Sequence, residues 1–109
     1  MHFEKRQSLR RELRIKAKLV VGESAPMTVR TYDVGKHGMC VIGLFRSLDI
    51  GQEIHLTFEM AHLGKVRDIA VRGRISHCTN TPNEGFKAGF QFLDLDSESL
   101  AVLSQYLGE

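Results

Sequence analysis

The sequence predicts an all-β domain, a six-stranded antiparallel β-barrel with one C-terminal α-helix. Three observations carry this. Apolar and polar residues alternate in most of the short stretches rich in apolar residues, as they do in strands with one buried and one wet face. Clusters of Gly, Pro, Asn and Asp separate those stretches. Only the last dozen residues change to a helical period. A chain of 109 residues holds one core rather than two, and closure into a barrel removes the edges that so small an open sheet would expose.

Residues 13–19 open the pattern, with Leu13, Ile15, Ala17 and Leu19 alternating with Arg14, Lys16 and Lys18. Gly22-Glu23-Ser24-Ala25-Pro26 breaks it, and residues 27–33 resume it as an antiparallel return. Asp33-Val34-Gly35-Lys36-His37-Gly38 makes a glycine-rich corner before the short apolar run 39–42. After the turn signal at 49–51, Ile54, Leu56 and Phe58 form the fourth strand, and Ile69, Val71, Gly73 and Ile75 the fifth. The cluster 80–85 turns the chain into a sixth strand carrying Phe86, Ala88, Phe90 and Phe92, whose period of two and aliphatic partners mark them as core rather than as a stacking platform for bases. Leu100, Leu103 and Leu107 then recur at helical spacing, with Asp96 or Ser97 able to cap the start and Gly108 the end. The expected organisation is one domain, 1–109: a flexible basic arm over 1–12, a barrel over 13–95 and a helix over 97–107.

Hydrophobic residues at 42% and charged residues at 26% describe a chain that folds. Net charge is only +2, yet seven cations fall within the first eighteen residues, so an anion docking near the N-terminus is one reading and a solvated basic face the other. The charged N-terminus lacks a secretory signal and the apolar runs are far shorter than a membrane span, so a reducing, cytoplasmic location with Cys40 and Cys78 as free thiols is expected. His37, Cys40, His77 and Cys78 offer metal ligands on paper. Adjacent strand residues point to opposite faces, however, and no CxxC pair exists, so no metal or cofactor is expected. Neither a nucleophile elbow nor a GxxxxGK(S/T) loop occurs, and the chain reads as a non-enzyme.

Two stretches resemble the PilZ domain family. Arg6-Gln7-Ser8-Leu9-Arg10 fits its RxxxR element, and Asp33-Val34-Gly35-Lys36-His37-Gly38 fits most of its (D/N)xSxxG element. Gly51-Gln52-Glu53-Ile54-His55-Leu56 and residues 88–96 look like the family's turn into the fourth strand and its final strand, so the resemblance covers nearly the whole chain. It implies a six-stranded barrel plus helix, no catalysis, and binding of the bacterial second messenger cyclic di-GMP. The implied binding residues are Arg6, Arg10, Asp33, Gly35 and Gly38, with the neighbours Arg11 and Arg14 as secondary candidates. An effector protein in motility, polysaccharide or biofilm formation, or transcription is the implied partner.

The side-chain chemistry suits that ligand. Arginine presents a planar fork of donors to phosphate oxygens or to guanine O6 and N7. An ionised Asp33 is a pure acceptor for the N1 and N2 edge of guanine. Gly38 would serve a positive φ or a close backbone approach. The arm is expected to order on the ligand. Gly35 departs from the pattern, since the family has serine there, and the lost hydroxyl is worth about 0.5–1.5 kcal/mol. Blander readings coexist with these: a solvated arm for the arginines, a turn cap for Asp33, and an outer-face cover for Arg14. Two other functions share the same residues, a ligand-independent adaptor marked by Gly35 and a small basic barrel that binds RNA or DNA.

Overall fold

The computed structural model describes residues 9–108. Seven strands and one helix follow in chain order: β1 (Arg10–Glu12), β2 (Lys16–Val21), β3 (Met27–Gly35), β4 (Gly38–Leu44), β5 (Glu53–His62), β6 (Lys65–Asn80), β7 (Phe86–Leu95) and α1 (Ser97–Leu107). All pairings are antiparallel, and the order β3-β2-β5-β6-β7-β4 returns to β3 through a β3–β4 pairing. The expected six-stranded barrel with its C-terminal helix is therefore present, with β1 lying outside it.

The extra strand corrects the expected arm over residues 10–12, while residues 1–8 lie outside the described residues. Residues 1–12 were expected to be flexible, but Arg10, Arg11 and Glu12 pair with Gly35, Val34 and Asp33 along the part of β3 that β2 does not reach. Thr31 holds the link between β1 and β2. It is fully buried, its hydroxyl donates to the Leu13 carbonyl and accepts from the Ile15 amide at 2.8 Å, and its own amide donates to the Ile15 carbonyl at 2.8 Å. A hydroxyl sealed in a core without partners would cost on the order of 1–3 kcal/mol, so its bonds fix where residues 13–15 run.

Alternation along β2, β5 and β6 sends Leu19, Leu56, Ile69 and Ile75 into a common core with Val29 and Val41, each at most 2% exposed. Truncating such a side chain to alanine costs about 2–5 kcal/mol. Phe90 is buried and meets Phe92 edge to face, with ring centroids 6.1 Å apart. At the end of the chain, the Asp96 carboxylate accepts from the Ser99 amide at 2.7 Å, and Gly108 in the left-handed conformation stops α1. Val102, Leu103 and Leu107 face the barrel, whereas Leu100, expected in the same stripe, is half exposed. No helix among the described residues is long and apolar enough to cross a membrane.

Candidate functional site

A β-bulge builds the site. In the β3–β4 ladder the register shifts between Thr31 and Asp33, so Thr31 pairs with Val41 while Asp33 pairs with Cys40. Tyr32 is the extra residue. Bulges re-aim side chains, and here strict alternation fails at one point, leaving Tyr32 and Asp33 both partly exposed between the buried Thr31 and Val34. β1 then brings Arg10 beside Asp33. The Arg10 guanidinium donates to the Asp33 carboxylate at 2.7 Å and reaches Cys40 Sγ at 3.8 Å. The bond to Asp33 raises the Arg10 pKa above its already high ordinary value, so the fork stays charged.

Next to this pair the outer face of β4, β7 and β6 is hollow. Cys40 pairs with Gly89, and Gly89 pairs with His77, so these three stand in one row across the sheet. A Cβ on Gly89 would lie 2.0 Å from the His77 ring, so the glycine leaves the space that the imidazole occupies. The hollow has a volume of about 410 Å³ and is lined by Arg10, His37, Cys40, His77, Gly89 and Gln91 among others. That is within the range of small-molecule sites, about 300–1,000 Å³. A groove of about 710 Å³ elsewhere on the barrel is larger but holds none of the motif residues, and its Lys16 and Lys18 share it with Glu59 and Asp68.

The expected site residues divide clearly. Arg10, Asp33 and Gly35 come together, with Gly35 paired directly to Arg10 across β1 and β3. Gly38 lines the hollow, and its requirement is close approach, since a Cβ there would lie 2.1 Å from the Phe90 carbonyl oxygen. Arg6 lies outside the described residues. Arg11 goes elsewhere: its guanidinium donates to the Tyr106 carbonyl in the last turn of α1 and covers the Tyr106 ring at 4.2 Å. A cation at a helix C-terminus is favourable there. Arg14 donates to Glu12 at 3.0 Å and lies 4.2 Å from the centroid of Tyr32. Sequence reading missed Tyr32, Lys87, His77 and Gly89. Nothing in the local pattern marks a bulge, and His77 meets Gly89 only through the β6–β7 pairing.

Burial pushes the Cys40 thiol pKa up, and the Asp33 charge adds to the shift, while Arg10 and Lys87 oppose it. Among the described residues no group of three or more His, Cys, Asp or Glu side chains is placed to hold a metal ion.

Arg10 and Asp33 come from the two stretches that resemble the family's motifs, and a family model for the PilZ domain matches residues 4–109. The chain belongs to the PilZ domain family. No curated protein matches the sequence. Among solved structures this PilZ domain is similar to the Bacillus subtilis inhibitor of motility MotI, also called DgrA, with a TM-score of 0.78 at 18% identity, over 96% of this chain and 50% of that one. It thus spans half of that chain. It is also similar to the PilZ domain of YcgR from Escherichia coli, whose structure contains c-di-GMP, with a TM-score of 0.73 at 13% identity, over 96% of this chain and 90% of that one. At these identities the likeness concerns the fold.

Proposed function

We propose that this PilZ domain is a non-enzymatic sensor of cyclic di-GMP, which it holds in the hollow between Arg10 and His77 and reports to an effector protein. The observation that carries the reading is the 2.7 Å approach of Arg10 to Asp33 at the edge of a cavity of about 410 Å³. Each partner has chemistry for a guanine nucleotide: the guanidinium for phosphate or for the O6 and N7 edge, the carboxylate for the N1 and N2 edge. Arg6 supplies a second fork from the segment before β1. Because β1 already pairs with β3, the signal is the rearranged charge around β1.

Calorimetric titration with cyclic di-GMP tests this, with GTP as the control. Saturable binding that GTP does not reproduce, weakened about tenfold or more by Arg10→Ala, is the expected result. Absence of heat up to high micromolar ligand would reject the sensor reading. A ligand-independent adaptor is the second reading. It is favoured by Gly35, which lacks the family's hydroxyl, and by an Arg10–Asp33 pair in which the two groups already engage each other. Under that reading an effector is retained equally well with and without the nucleotide.

A further inference from the structure

The bulge at Tyr32 creates a feature that the motifs do not account for. Two cations converge on one ring: the Arg14 guanidinium carbon is 4.2 Å, and the Lys87 ammonium 3.8 Å, from the Tyr32 centroid. A cation within about 6 Å of an aromatic centroid is attracted by the ring quadrupole. Like charges collected around a single side chain nevertheless repel, and an anion would relieve that repulsion. Arg14 is partly answered by Glu12 at 3.0 Å. Lys87 has no carboxylate within ion-pair distance among the described residues. Its ammonium carries three donors, and a ring below it leaves some of them directed outward.

Its position relative to the hollow follows from the ladders. Lys87 pairs with Ile42, whereas Gly89 pairs with Cys40, so Lys87 stands one step beyond Cys40 on the side away from Gly38. Two residues along a strand span about 7 Å. Arg10 reaches Cys40 Sγ at 3.8 Å, and the Arg10 and Lys87 charges both favour the thiolate of Cys40. Cations therefore flank the Cys40 wall.

We propose that Lys87, seated on the Tyr32 ring, is a phosphate-binding subsite that extends the Arg10–Asp33 site along β7. The subsite rests on the proposed function for its natural ligand, a nucleotide with two phosphoryl groups that engages Arg10 with one and Lys87 with the other. Its anion chemistry does not depend on that. Lys87 touches the phosphoryl oxygens. Tyr32 is a positioning residue that holds the ammonium, and its ring, not its hydroxyl, performs that task.

The test is amide chemical-shift titration of the folded protein with inorganic pyrophosphate and, separately, with cyclic di-GMP, on the wild type and on Lys87→Ala, Tyr32→Phe and Tyr32→Leu. The expected result is saturable movement of the amides around Tyr32, Lys87 and Cys40 with pyrophosphate. Lys87→Ala should weaken it about tenfold, as loss of a charge-assisted bond does. Tyr32→Phe should bind as the wild type and Tyr32→Leu severalfold more weakly at an unchanged melting temperature, which separates loss of the ring face from a general packing defect. If pyrophosphate moves these amides and cyclic di-GMP does not, the subsite stands and the nucleotide reading falls. Movement that is absent for both ligands, or unchanged in Lys87→Ala, overturns the subsite.

Discussion

Arg10 and Asp33, 23 residues apart in the chain, are joined by a 2.7 Å charge-assisted hydrogen bond, so the residues expected to grip a ligand grip each other. The Arg10 side chain is 44% exposed and that of Asp33 22%, which places the pair in the class of ion pairs worth at most about 1 kcal/mol. Arg10→Ala should accordingly lower stability by less than about 1 kcal/mol while weakening cyclic di-GMP binding about tenfold or more. Thermal melting and calorimetry on the same sample check both halves. A large loss of stability with unchanged binding would make Arg10 a structural residue only.

Gly35 permits the closed pair. A Cβ there would lie 3.0 Å from an Arg10 guanidinium nitrogen and 3.3 Å from its Cγ, with the Leu9 carbonyl also at 3.3 Å. Arg10 is flexible at its far end, so Gly35→Ser should displace the guanidinium from Asp33 at little cost to the fold. Both the freed Arg10 and the new hydroxyl then act on the ligand, and binding should tighten by about two- to tenfold. Weaker binding by Gly35→Ser in a titration would show that the closed pair is not in competition with the ligand.

Two glycines of the site should respond differently to the same change. Gly38→Ala sets a methyl group 2.1 Å from the Phe90 carbonyl oxygen, where only backbone can yield, and should destabilise by about 2 kcal/mol or more. Gly89→Ala sets its methyl 2.0 Å from the exposed His77 ring, which can swing away. It should leave the unfolding free energy within about 0.5 kcal/mol of wild type and weaken ligand binding by displacing the His77 ring. Denaturant melts and titration of both variants separate the two outcomes, and equal destabilisation would show that His77 is locked in place.

Cys40 offers a chemical reporter. Burial, reinforced by Asp33, holds its thiol pKa above the ordinary value, so thiolate is scarce near neutrality and alkylation should be slow, accelerating as pH rises. Asp33→Asn removes a negative charge that opposes ionisation, which lowers the thiol pKa and should speed labelling by iodoacetamide at fixed pH. Ligand in the hollow should slow it. Mass spectrometry of timed reactions at residue 40 checks the order, and identical rates in wild type and Asp33→Asn would mean that access, not charge, controls the thiol.

Much of the barrel was legible because its information is local. Period-two alternation located five strands, the apolar run 39–42 a sixth, and turn residues placed the breaks between them. Asp96 and Gly108 delimited the helix, since caps act on backbone groups within one turn. The extent of the arm was not legible. Residues 10–12 are charged and exposed, so no hydrophobic signal marks β1, which forms because β3 runs on past β2 and leaves an edge to pair.

The residue types of the candidate site were likewise written in the chain: Arg10 and Asp33 stood out by spacing and charge, as did the glycine at 35. What they do to one another was decided by tertiary structure. A one-residue bulge turns Asp33 and Tyr32 outward together, Arg11 is drawn to the end of α1, Gly89 and His77 enter the hollow through pairings of β4, β7 and β6, and Lys87 is carried by β7 onto the Tyr32 ring. Alternation and capping depend on neighbours in sequence. Register, bulges and cross-strand rows depend on how distant strands meet, and in this protein they determine that Arg10 faces the hollow while Arg11 and Arg14 do not.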